Sequence, residues 1–304
     1  MNQSAVHGVL AINKPPGVTS RRVVDAVSHT LGTKAVGHAG TLDPLASGVV
    51  VICAGNARKL VDFIHQQEKA YTVSFLLGRS SPSDDFETSV TLEPQPYRPT
   101  LNEVEKALDS QRGTILQIPC SYSAKRVAGK RAYKLARLGK EVVLQPKEIH
   151  ISQLEITAYE WPRLELSVVC SSGTFVRALG RDLAKSVGTC AVMETLVRTA
   201  VGPYVLDAAV PLSGITQDDT GKQFIEAALH PPASALPHLH TRTLSVSEIE
   251  HVARGGLLPG HEGATSDAVA ALDENGALLG ILRILAQGRW RLRPNFVDSS
   301  PRTR

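Results

Sequence analysis

Cysteine is sparse and scattered in this chain. Its four copies, Cys53, Cys120, Cys170 and Cys190, form no CxxC pair, so the spacing fits neither a zinc site nor a disulfide framework, and reduced thiols in a cytoplasmic protein are expected. No apolar run approaches the ~20 residues that span a bilayer, and residues 1–8 lack the charged start and apolar stretch of a secretory leader; no membrane contact is expected. There is no large excess of one charge either. Lys and Arg number 33 against 29 Asp and Glu, a formal +4, which permits a polyanionic partner without requiring one. Internal repeats and low-complexity tracts are lacking, which excludes solenoids. What remains is an ordinary globular balance, 42% hydrophobic and 20% charged over 304 residues, enough for one large domain and a small one.

Read along the chain, a short strand at 9–12 runs into KPPGVTS at 14–20, whose prolines and glycine read as an ordered loop. A helix is expected next, N-capped by Ser20, with Val23, Val24, Val27 and Leu31 at helical spacing and Gly32 as its stop. GHAGTLDPLASG at 37–48 holds three glycines and a proline in twelve residues, a loop too long for a simple turn. A buried strand at 49–54, a short helix at 56–66 and a strand at 71–77 with Tyr71, Val73, Phe75 and Leu77 facing inward follow. Thr100 and Glu103 form a capping box. A strand at 164–169 leads through SSGT at 171–174 into a helix ending near Val187. Prolines and histidines accumulate between Ser213 and Thr241 and place a domain boundary there. Beyond it come a short helix capped at Ser247 and strands at 268–272, 278–285 and 290–292. The whole reads as α+β, with a large domain over 1–230 and a small β-rich one over 240–298.

Three features carry possible chemistry. Asp43 sits in the glycine-rich loop between Thr41-Leu42 and Pro44-Leu45, a carboxylate bracketed by apolar neighbours, although an isolated Asp-Pro is usually a turn cap. The loop has neither the Gly-Lys-Ser/Thr ending of a P-loop nor a GxGxxG, and no second matching carboxylate supports an aspartic protease. Arg177 and Arg181 lie one helical turn apart, where a guanidinium fork could meet a carboxylate from another loop. KRVAGKRAYKLARLGK at 125–140 carries seven basic residues and no acidic one, with Tyr133 interleaved, a local footprint for a polyanion. His38 and Tyr71 are weak signals alone. Beside a carboxylate and a basic patch, an aromatic ring could stack on an unpaired RNA base.

Taken together, KPPGVTS (14–20), GHAGTLDPLASG (37–48), KAY (69–71), YSAKRVAGKRAYKLAR (122–137) and CSSGTFVRALGRDL (170–183) resemble the bacterial tRNA pseudouridine synthase B family. Order and spacing match over about residues 8–204, and the final segment resembles the family's small PUA-type RNA-binding domain. The resemblance implies a pseudouridine synthase-type mixed β-sheet catalytic domain with flanking helices. It also implies isomerisation of the T-loop uridine conventionally numbered 55, with no metal or organic cofactor. Asp43 matches the catalytic aspartate and Arg177 the arginine paired with it. Tyr71 matches the tyrosine that stacks on the flipped base, extruded at a cost of about a few kcal/mol. His38 matches a histidine that contacts the rearranged RNA, and Leu196 an apolar residue that closes the pocket. Lys14, Phe175, Lys130 and Arg131 complete the expected substrate contacts, the last two in a segment, about 120–150, that grips the T-arm.

Some positions depart from the family pattern. Phe175 stands where a tyrosine is usual, the segment 196–200 lacks two arginines often found there, and Cys120 and Ser121 replace prolines. A stand-alone monomeric enzyme acting on tRNA, without an obligatory protein partner, is the leading expectation. The alternatives are a guide-dependent dyskerin-like subunit and a non-catalytic tRNA-binding or folding protein.

Overall fold

The computed structural model of the chain describes residues 6–123, 125–127, 129–260, 267–285 and 288–297. Its main sheet runs, edge to edge, through the strands Val210–Pro211, Gly8–Lys14, Ser47–Ala54, Ala191–Val201, Lys69–Leu77, Arg163–Cys170, Lys147–Glu160 and Gly113–Gln117. The sheet is mixed. Gly8–Lys14 pairs parallel with Val210–Pro211, and Ser47–Ala54 parallel with Ala191–Val201, while the other neighbours on this path are antiparallel.

Central strands of such a sheet are covered on both faces and therefore read as unbroken apolar runs. In Ser47–Ala54 the residues alternate between two cores. Val50, Ile52 and Ala54 join one that includes Val23, Val27, Leu179 and Leu183 of the Ser20–Thr30 and Val176–Ser186 helices. Val49, Val51 and Cys53 join another with Leu60 and Phe63, to which Ala270 and Ile281 of a separate four-stranded sheet belong. That small sheet orders Thr241–Thr243, Ala268–Leu272, Leu278–Ile284 and Trp290–Asn295. The α+β class holds, with the β-rich C-terminal unit expected of a PUA-like domain.

Local signals were mostly in register, with differences that have clear causes. Thr19 rather than Ser20 caps the first helix, its hydroxyl accepting from the Arg22 amide, because the Ser20 hydroxyl is bonded to the Leu42 backbone instead. Ser245 rather than Ser247 caps the C-terminal helix, Val246–Ala253, through a capping box with Glu248. The expected helix at 56–66 divides into a 3-10 turn, Gly55–Leu60, and an α-helix, Val61–Gln66. The ends of 37–48 are not loop: Val36–His38 pairs with the strand Ser47–Ala54. The proline-rich stretch after Ser213 contains a helix, Asp219–Ala228, and His230 exchanges two backbone hydrogen bonds with Val9, which ties this stretch to the first strand.

Candidate active site

Asp43 stands on the loop between Val36–His38 and Ser47–Ala54, with 38% of its side chain exposed. Its Oδ2 meets Nη2 of Arg177 at 3.0 Å. Arg177 enters from the first turn of the Val176–Ser186 helix, which lies close on the sheet because residue 180 is glycine: a Cβ there would come within 2.0 Å of the Phe75 ring. The start of the helix is held by Gln117, whose side-chain amide donates to Phe175 O and accepts from Phe175 N. With its side chain 5% exposed, Arg177 also meets Asp85 Oδ2 at 3.0 Å and donates to the carbonyls of Ser83 and Tyr122. One guanidinium thus links two carboxylates and two carbonyls from three separate segments, the paired and hydrogen-bonded state that a buried charge requires.

The loop is clamped from beneath through its backbone. Arg198, 2% exposed, donates to the carbonyls of Val49 at 2.7 Å, Gly40 at 3.2 Å and Thr41 at 3.3 Å. Ser20 donates to Leu42 O and accepts from Leu42 N. Lys14 donates to Ala46 O at 2.5 Å and Val18 O at 2.7 Å, with Pro15 O and Pro44 O also in reach. Ala46 N closes the turn onto Asp43 O. The carbonyls of residues 40, 41, 42, 43, 44 and 46 therefore each have a donor, which fixes where the Asp43 side chain emerges.

Gly48, the last residue of the glycine-rich motif, makes the clamp possible. Its φ is +104°, and a Cβ would lie 2.2 Å from Arg198 O, so only glycine lets Ser47–Ala54 approach Ala191–Val201 here. Gly48→Ala is expected to cost roughly 2–5 kcal/mol of stability from strain and overlap together, read by urea unfolding. A loss under about 1 kcal/mol, the scale of a glycine substitution without a clash, would contradict the close approach.

Above the clamp opens a cavity of about 360 Å³ lined by Asp43, Tyr71, Phe175, Arg177, Leu196 and Arg198, with Lys69 and Lys125 adding positive charge. Tyr71 and Arg198 face each other in the strand pairing; burial raises the Tyr71 phenol, against the opposing pull of Arg198. Burial, reinforced by Arg198, lowers Lys69 to about 8. Phe175 brings no hydroxyl, but Lys125 lies 5.9 Å over its ring.

The expected site residues do not all gather here. Asp43, Tyr71, Arg177, Leu196 and Phe175 share the cavity. Lys14 is wholly buried, lines no part of the cavity and supports the loop, and burial lowers it to about 8 with Asp43 acting in opposition. His38 is half-buried on its short strand, outside the cavity lining, and burial followed by Arg198 lowers its imidazole. Lys130 and Arg131 are exposed on a two-stranded hairpin with Arg126–Val127, followed by the Ala132–Ala136 helix. Asp85, Arg198, Lys69 and Ser20 were not singled out from the sequence as site residues. Among the described residues no cluster of His, Cys, Asp or Glu could hold a metal, and no helix is long and apolar enough to cross a membrane.

A model of the TruB family pseudouridylate synthase N-terminal domain matches residues 28–176. The chain is 35% identical to tRNA pseudouridine synthase B of Stutzerimonas stutzeri, over 93% of each chain. It is 32% identical to that of Dehalococcoides mccartyi, over 98% of this chain and 99% of the relative. The chain belongs to the TruB family. In fold, it resembles the chain matched in a crystal structure of a Cbf5-Nop10-Gar1 complex, with a TM-score of 0.74 at 21% identity over 96% of this chain and 85% of that one. It also resembles one in an H/ACA RNP bound to a substrate RNA containing 2'-deoxyuridine, with a TM-score of 0.72 at 20% identity, over 96% and 86%. Lys130 and Arg131, exposed on their hairpin, line no part of the cavity. Lys130→Ala with Arg131→Ala is accordingly expected to weaken RNA binding and lower its salt slope by about 1–2 while leaving kcat unchanged. A fall in kcat with unchanged affinity would contradict that division.

Proposed function

We propose that the protein isomerises the T-loop uridine of tRNA, at the position conventionally numbered 55, to pseudouridine, and that it does so without a guide RNA. The observation that carries this reading is the Asp43 carboxylate held at a cavity by a buried arginine, Oδ2 to Nη2 3.0 Å, with Tyr71 and Leu196 lining the same cavity. The reaction breaks the bond between N1 of uracil and C1′ of ribose, turns the base, forms the bond from C5 to C1′, releases the C5 proton and protonates N1. A carboxylate at the sugar supports it as nucleophile or as base.

In this proposal Arg177 orients the carboxylate. The Tyr71 ring stacks on the flipped uracil, Leu196 and Phe175 close the pocket, and His38 contacts the rearranged RNA. Lys130 and Arg131 grip the T-arm backbone, where RNA is read by shape more than by sequence. The catalytic unit is placed at 1–230 and the small RNA-binding unit at 240–298, in a chain that acts as a monomer on tRNA. The test is tritium release from tRNA carrying 5-tritiated uridine, with purified protein and no added guide or metal. About one tritium released per tRNA, absent with uridine replaced by cytidine at that single position, supports the reading. Salt-sensitive binding without release would turn it toward a guide-dependent or non-catalytic role.

A further inference from the structure

A second cleft, about 550 Å³, opens at the far end of the strand that begins beside Asp43. Ser47–Ala54 is eight residues long, so at about 3.3 Å per residue the two sites stand roughly 25 Å apart. The cleft lies between the end of the Ser20–Thr30 helix, the Gly55–Leu60 turn and Lys222 of the Asp219–Ala228 helix. Its apolar patches come from Val6, Leu31 and Ala35, and every charged residue in its lining is a cation: Arg58, Lys59 and Lys222.

These cations are not neutralised locally. Among the described residues neither Arg58 nor Lys222 forms an ion pair. Lys59 is committed elsewhere: it donates to Asn295 O at 3.0 Å and lies 5.3 Å over the Phe296 ring, joining this wall to the C-terminal sheet. At the end of the Ser20–Thr30 helix, whose dipole disfavours an anion, three of the last carbonyls are turned to backbone donors and do not face the cleft unpaired. The amides of Leu31, Gly32 and Thr33 donate to the carbonyls of Val27, His29 and Ser28. A cleft of this volume falls within the ~300–1,000 Å³ that small ligands occupy, and unpaired cations beside apolar surface suit a phosphate attached to a base or sugar.

We propose that this cleft binds a nucleoside phosphate of the RNA substrate, in a part of that RNA outside the arm that enters the Asp43 cavity. The inference rests on the RNA substrate proposed above. Bound there, the RNA would be held at two points along one sheet strand, and the second point would contribute affinity without touching the chemistry.

The test uses the full chain and its Arg58→Ala/Lys222→Ala variant, with a whole unmodified tRNA, an isolated T-arm hairpin and uridine monophosphate as separate probes. The expected result is about tenfold weaker binding of the whole tRNA, with a salt slope smaller by about 1–2, and unchanged binding and turnover of the hairpin. Arg58→Lys/Lys222→Arg should restore the whole-tRNA affinity, which a merely unfolded variant would not explain. Unchanged whole-tRNA affinity, or equal losses on hairpin and tRNA, would overturn the proposal. Loss of uridine monophosphate binding alone would overturn the RNA assignment and give the cleft to a free nucleotide. If the wild-type chain converts neither the hairpin nor the whole tRNA while the variant still loses tRNA affinity selectively, the catalytic reading fails and the cleft stands.

Discussion

Asp43→Asn is expected to lower tritium release by about 10⁴-fold or more, equivalent to about 5.4 kcal/mol in the barrier, while tRNA affinity stays within about twofold. Asparagine keeps the shape and one carbonyl oxygen for the Arg177 guanidinium, 3.0 Å from Oδ2 in the wild type, so the loop has no reason to move. Its backbone is held from below by Arg198, Ser20 and Lys14; the Arg198 and Ser20 contacts do not depend on the carboxylate charge, and only the protonated form of Lys14 is supported by it. Only the negative charge at the sugar is lost, and an amide serves neither as nucleophile nor as base. Single-turnover kinetics with saturating protein isolates the chemical step. Residual turnover within tenfold of wild type would remove Asp43 from the centre of the reaction and favour a non-catalytic tRNA-binding role.

Arg177→Ala should have a different signature, with losses in both stability and turnover. The guanidinium is 5% exposed and meets Asp85, itself 3% exposed, as well as Asp43. Its removal leaves a buried carboxylate unpaired, a defect worth about 3–5 kcal/mol, and frees the carbonyls of Ser83 and Tyr122. Turnover is expected to fall about 10²- to 10³-fold because the Asp43 carboxylate loses its fixed orientation, with a much smaller change in RNA affinity. Urea unfolding and single-turnover rates separate the two effects. Arg177→Lys restores charge without the planar fork and should recover most of the stability but little of the rate. Equal losses in kcat and KM would contradict a role in orienting the carboxylate.

The comparison of sequence with structure turns on how far a signal reaches along the chain. The Thr100–Glu103 capping box is a local contest for a few amides, and it is found in place. The apolar run in Ser47–Ala54 and the alternation in Lys69–Leu77 declare a buried and a half-buried strand through spacing alone. Asp43 was legible because glycine and proline around it mark a loop, and because the order of five motifs resembles one family. Ser20 shows the limit of local rules: its position before a helix suits an N-cap, yet a partner 22 residues away takes its hydroxyl.

By itself, the amino-acid order determined the α+β class, the elements it named to within a few residues, the basic segment and the aspartate loop, since each follows from near-neighbour backbone preference or from periodic burial, while the sheet strands Lys147–Glu160 and Ala191–Val201 went unread. Tertiary structure alone decided that Lys14 is a buried support of the aspartate loop, that Arg198 grips carbonyls roughly 150 residues earlier in the chain and that Arg177 divides itself between Asp43 and Asp85. The physical reason is the same in each case. A cation buried beneath a sheet must find its acceptors wherever strand pairing brings them, and that pairing joins residues whose separation in sequence carries no local energy.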